Sequence, residues 1–94
     1  MSSAEDLVLV RELIAAARVS LPSEMIRDVE DLVSYAEIDV AICQILGAAT
    51  VGRFWVVPVG LLPAVERWGA RKTRPVYRRA AAQALQQSMA LTAA

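Results

Sequence analysis

Between residues 22 and 49 two apolar stripes of helical period follow one another with only a few residues between them. Nothing else in the chain constrains the fold as strongly. Met25, Ile26, Val29, Leu32 and Val33 recur at offsets of one, four, seven and eight, which gathers them on one side of a 3.6-residue helix. Ile38, Ala41, Ile42, Ile45, Leu46 and Ala49 repeat the pattern. The stretch 34–37 leaves room for a tight reversal, so the economical outcome is an antiparallel helix pair whose apolar sides share one core.

The flanking segments read as further helix. Ser3 precedes Glu5 and Asp6, so it can accept an amide hydrogen bond while Asp6 answers as a short-armed capping-box acid. Leu7, Val10, Leu13, Ile14 and Ala17 then supply a buried side, predicting a helix over about 5–18. Pro22 suits the first turn of the next element, where its missing amide proton is not required. Phe54, Trp55, Val56 and Val57 have the content of a strand, but the chain offers no second convincing strand to pair with them. They are expected as an extended link laid across the helices, with Phe54 or Trp55 sealing the open side of the hairpin. Leu61, Leu62, Val65 and Trp68 mark a short helix with Pro63 in its first turn and Gly69 near its stop. Pro75 opens a last helix, in which Tyr77, Ala81, Leu85 and Met89 step by four and Gln83, Gln86 and Gln87 are solvated. Alanine brings helix propensity but little burial, so 71–94 is expected to lie at the periphery and to fray. The expectation is one all-α domain over 1–94, a small bundle of four to five helices built on the central αα-hairpin.

Composition removes several classes of function. The chain has no histidine and one cysteine, so an intramolecular disulfide and the usual zinc sites are out of reach, and no cofactor motif is present. Cys43 sits between Ile42 and Ile45 with no histidine to activate it, which reads as a structural thiol. Neither a nucleophile with its base nor a separated acid/base pair emerges, so the chain is not expected to be an enzyme. The uncharged runs 40–52, 54–65 and 80–94 are each shorter than a bilayer span. The start of the chain lacks the basic and apolar regions of a signal peptide, which points to a cytoplasmic residence.

The formal charge is zero, yet its distribution is lopsided. Residues 1–39 carry nine acidic and three basic side chains, a net of −6, and residues 40–94 carry one acidic and seven basic, a net of +6. Either the halves compensate each other, within a chain or between copies, or one of them faces a charged partner. Glu24, Asp28, Asp31 and Tyr35 follow offsets of four, seven and eleven, which places three carboxylates and a phenol together beside the apolar stripe. Like charges at that spacing repel, so the arrangement is either a solvated side or a docking surface with Tyr35 as its aromatic contact. Glu37 and Asp39 extend the negative field. Arg71, Lys72, Arg74, Arg78 and Arg79 form a basic cluster near Trp68 and Tyr77, a pattern that admits nucleic-acid phosphates but contains no recognition-helix signature.

Leu21 and Pro22, then the run from Asp28, Val29, Glu30 and Asp31 to Leu32 and Val33, then Glu37, Ile38, Asp39, Val40, Ala41, Ile42, Cys43, Gln44, Ile45 and Leu46, together resemble small helical immunity proteins of the MafI-like class. The resemblance covers roughly 7–69; Ala36 stands where that pattern has glycine, the 54–57 link is more apolar, and the basic end from 71 onward lies outside it. It implies an opening helix, a Leu-Pro turn, an acidic helix, a short turn and a second amphipathic helix. It also implies a non-catalytic role, binding and neutralising a cognate secreted toxin, for which Glu24, Asp28, Asp31, Tyr35, Glu37 and Asp39 are the contact candidates. The rival expectations are a homo-oligomeric adaptor, one copy's acidic half facing another's basic half, and a nucleic-acid-associated regulator using the cluster at 71–79.

Overall fold

The computed structural model describes residues 3–52 and 54–93; Arg53, at the head of the expected extended link, and Ala94, at the end of the C-terminal segment, lie outside the described residues. Five α-helices are present: α1 (Ala4–Ala17), α2 (Ser23–Ser34), α3 (Ile38–Thr50), α4 (Leu62–Ala70) and α5 (Pro75–Ala93), with a 3₁₀ turn at Val59–Leu61 leading into α4. No strand occurs among the described residues.

The middle helix is the hub. Apart from Asp39, α3 carries no charge, and a helix that is apolar nearly all round has to be covered on several sides. Ile38, Ala41, Ile42, Ile45, Leu46, Ala48 and Ala49 are all buried, because α1, α2 and α5 each pack against it. The uncharged run that was too short to cross a membrane is thus an interior helix, and no helix among the described residues is long and apolar enough to span one. Helix α4 packs on α5 and on α1, completing a bundle with a radius of gyration of 12.1 Å, as scaling requires for a folded chain of this length.

Local signals decide the ends. Ser3 is extended and its Oγ accepts from the Asp6 amide at 3.1 Å, the Ser half of a capping box. The reciprocal half does not form: the Asp6 carboxylate turns away from the cap to bind Lys72 and Arg71. Between α2 and α3 the Glu37 amide donates to the Leu32 carbonyl at 2.9 Å and the Ala36 amide to Val33 at 3.0 Å, the paired bonds of a Schellman stop. Ala36 has φ 61°, so an L-residue occupies the left-handed position that glycine adopts without steric cost.

The 54–57 link forms neither helix nor strand, and of its two aromatics Trp55 rather than Phe54 enters the core, beside α3 and α5. Trp55 is buried and its Nε1 donates to the Ile45 carbonyl at 2.9 Å, whereas Phe54 is 56% exposed. On α5 the buried line is Ala81, Ala84 and Ser88, with Tyr77 and Leu85 half-buried and Met89 exposed. Stepping by four residues gains about 40° per turn on a 3.6-residue helix, which carries Met89 off the core side that steps of four and three retain. Gln87 is not free in solvent; its Nε2 donates to the Ala49 carbonyl at 2.9 Å, supplying a partner near the end of α3 where carbonyls lack one. Gly69 of α4 allows the close approach to α5, since a Cβ built there would lie 2.5 Å from the Ala81 Cβ.

Candidate functional site

Much of the lopsided charge of the sequence separates, in three dimensions, into a compensated cluster centred on buried Asp6 and two outer patches without ion pairs among the described residues. The cluster forms where the start of α1, the start of α3 and the α4–α5 junction meet. Asp6 is 1% exposed; its carboxylate binds the Arg71 guanidinium and accepts from Lys72 Nζ at 3.0 Å. Lys72 Nζ also reaches Asp39 Oδ1 at 3.0 Å, and the same oxygen accepts from Trp68 Nε1 at 2.9 Å. Glu5 holds Arg67 at 2.8 Å and Arg71 at 3.4 Å. Three acidic groups from the first 39 residues are thereby matched by three cations from the second half, across more than sixty positions of chain for the Asp6 pairs.

The protonation states follow from this geometry. Burial pushes the Asp6 carboxyl up, but the hydrogen bonds from Lys72 and Arg71, together with their charges, outweigh it and hold the group below its usual range. Burial works against the Lys72 ammonium in the same way and is overcome by Asp39 and Asp6, leaving it above the usual lysine range. The hydrogen bond from Arg67 is the main cause that lowers exposed Glu5. Each buried charge of the cluster has partners, the condition under which burying charge is tolerable.

This placement divides the candidate residues. Asp39 belongs to the interior cluster, not to the outward acidic surface, and Arg71 and Lys72 are engaged by Glu5, Asp6 and Asp39. Trp68 is fully buried and Tyr77 packs against it with ring centroids 5.9 Å apart, so the indole offers no face on which a base could stack. By contrast Glu24, Asp28 and Asp31 are exposed on α2, on the side opposite buried Ile26 and Val29, and none of the three makes an ion pair among the described residues. Tyr35 follows at the end of that side with 77% of its surface in solvent, and Glu37 is exposed in the turn beyond it. Arg74, Arg78 and Arg79 are likewise exposed, without an ion pair among the described residues, around the first turns of α5.

Local sequence fits Asp6 to a cap and hides its partners, which lie more than sixty positions away. The available signal was its position: on a helix whose apolar stripe begins at Leu7, Asp6 falls next to Leu9, Val10 and Leu13 on the inner side. Chemically, the interior space beside Trp55, Ala84 and Ser88 amounts to ≈ 10 Å³, enough for about one water. An open groove runs between α1 and α2, past Leu7, Arg11, Val33 and Ser34. Cys43 is partly buried, and burial pushes its thiol pKa up, away from the thiolate that reacts. Among the described residues no group of His, Cys, Asp and Glu is arranged to hold a metal ion. What α2 presents to solvent is a ridge of carboxylates without ion pairs among the described residues, ending in an exposed phenol. None of the family models, characterised proteins or solved structures compared with the chain matches it.

Proposed function

We propose that this chain is a non-catalytic protein-binding module, an immunity protein that docks a basic cognate toxin on the outward side of α2. The observation that carries the reading is selective compensation: the fold neutralises Glu5, Asp6 and Asp39 internally yet leaves Glu24, Asp28 and Asp31 unpaired beside a Tyr35 that is 77% exposed. A ridge of like charge opposes helix stability, Arg27 offsets only part of it, and a basic partner surface would relieve the rest. Complementary charge accelerates encounter with a basic surface such as that of a nuclease, and a tyrosine that becomes buried on contact slows dissociation. Glu37 extends the field at the end where Tyr35 sits. The resemblance to MafI-like immunity proteins points to the same class of partner.

The test uses the secreted proteins of the producing cell as candidate partners and asks for a stoichiometric complex that inhibits the toxin. Asp28→Lys with Asp31→Lys is expected to weaken that complex at least a hundredfold at low ionic strength and to flatten its salt dependence, while Tyr35→Ala raises the dissociation rate by more than tenfold. Unchanged affinity and salt dependence in the charge-reversed chain would remove the proposed surface.

A further inference from the structure

Of the basic segment 71–79, the three arginines outside the ion-pair cluster, Arg74, Arg78 and Arg79, occupy an unfavourable place. Arg74 precedes α5, and Arg78 and Arg79 lie in its first turns, at the helix end whose dipole is positive and which favours carboxylates, not cations. The opposite mismatch exists on α2, where Asp31 lies in the last turn of the helix with Glu24 and Asp28 behind it on the same side. The Tyr35 end of one patch and the Arg74 end of the other approach the same end of the bundle: Asp39, four residues beyond Tyr35, is held by Lys72, two residues before Arg74. They do not meet within a chain. Helix α2 packs on α3 and α1, and α5 packs on α3 and α4, so α3 stands between them, and among the described residues no ion pair joins α2 to α5.

We infer that a second copy of this chain covers both patches, the α2 side of each copy lying against the first turns of α5 in the other about a two-fold axis. The charges match in sign, Glu24, Asp28 and Asp31 facing Arg74, Arg78 and Arg79 in each of two equivalent zones, with Arg27 and Glu37 at the margin of the acidic one, which is what an isologous contact requires. Each zone also brings apolar surface, from Tyr35 on one copy and from Val76, 49% exposed among the arginines, on the other, and a guanidinium can stack on the phenol ring. Single exposed ion pairs contribute little; the inference depends on several acting in two zones at once, each relieving a helix-end mismatch. It rests on the same outward side of α2 as the toxin-docking proposal, so the second copy and the toxin compete for it.

The experiment is sedimentation equilibrium of the full chain at about 20 mM and about 500 mM salt, between which the screening length falls from roughly 20 Å to roughly 4 Å. The unaltered chain is expected to be dimeric at low salt, with the dimer weakened at least tenfold at high salt. A chain with Asp28→Lys and Asp31→Lys, and another with Arg78→Glu and Arg79→Glu, are each expected to remain monomeric, because like charges then face each other. An equimolar mixture of the two is expected to form a one-to-one heterodimer, since both zones become complementary again, and helical circular dichroism on each variant alone verifies folding. A monomer at every salt concentration, a salt-insensitive dimer, an assembly that keeps growing with concentration, or a mixture that fails to pair would each overturn the inference. So would a monomer whose three arginines instead hold single-stranded RNA. The Arg78→Glu, Arg79→Glu chain keeps α2 intact, so loss of the dimer with retained toxin binding separates failure of this contact from failure of the docking surface.

Discussion

Replacing Asp6 by alanine tests whether the interior charge cluster holds the two halves of the chain together. Removing one partner of a buried ion pair costs about 3–5 kcal/mol when the other is left stranded. Here the stranding is partial: Lys72 keeps Asp39 at 3.0 Å, and Arg71 keeps Glu5 at 3.4 Å with 36% of its side chain in solvent. The cost therefore falls to or below the bottom of that range, about 2–3 kcal/mol, with most of it falling on Lys72, whose side chain is only 15% exposed. In a small domain this is a large part of the total stability, and with a urea m-value near 1 kcal/mol/M the unfolding midpoint falls by about 2–3 M. The control is Glu30→Ala. Its pair with Arg18 is of similar length, 3.1 Å, but the side chains are 58% and 49% exposed, so the cost is below about 0.5 kcal/mol. Urea unfolding followed by helical circular dichroism and by the fluorescence of buried Trp68 measures both. If Asp6→Ala costs no more than Glu30→Ala, burial does not strengthen the pair and the reasoning is wrong. A double-mutant cycle with Lys72→Met isolates the coupling, expected at about 1–2 kcal/mol.

Further expectations follow from single features. Because Asp6 titrates below its unfolded value, its contribution to stability is fully present above the ordinary carboxylate range and is lost as pH falls through the folded-state pKa; thermal unfolding should therefore show a fall below about pH 4 that Asp6→Asn reduces. Ala36→Gly, at φ 61°, should stabilise the chain by about 1 kcal/mol in urea unfolding by removing a Cβ from the left-handed position; destabilisation would contradict the reading of that turn. Gly69→Ala would bring a Cβ to 2.5 Å from that of Ala81 and should cost about 1–3 kcal/mol as α4 and α5 are forced apart, with the partly buried Tyr77 ring losing its contact to Trp68 and a corresponding change in tryptophan emission.

How far the chain can be read without its tertiary structure depends on the range of the physics involved. The α2–α3 hairpin, the Pro63 helix start and the apolar sides of α1 and α4 were legible, because period and capping act within a few residues. Tyr35 and the Glu24, Asp28 and Asp31 ridge were legible for the same reason, since helical spacing alone sets which residues share a side. On α5 strict steps of four lead to exposed Met89, whereas the core side follows steps of four and three to Ala84 and Ser88, a drift that only the packing against α3 and α4 makes visible.

What the amino-acid order determined by itself was helices, their turns, and two halves of opposite charge. What only the folded chain decided was which charges cancel: Asp6 and Asp39 could be assigned to Lys72, and Glu5 to Arg67 and Arg71, only once α1, α3 and the α4–α5 junction were brought together. The reason is that helical period operates through bonds a turn apart, whereas an ion pair in a low-dielectric interior depends on distance through space, and sequence separation carries no information about that distance.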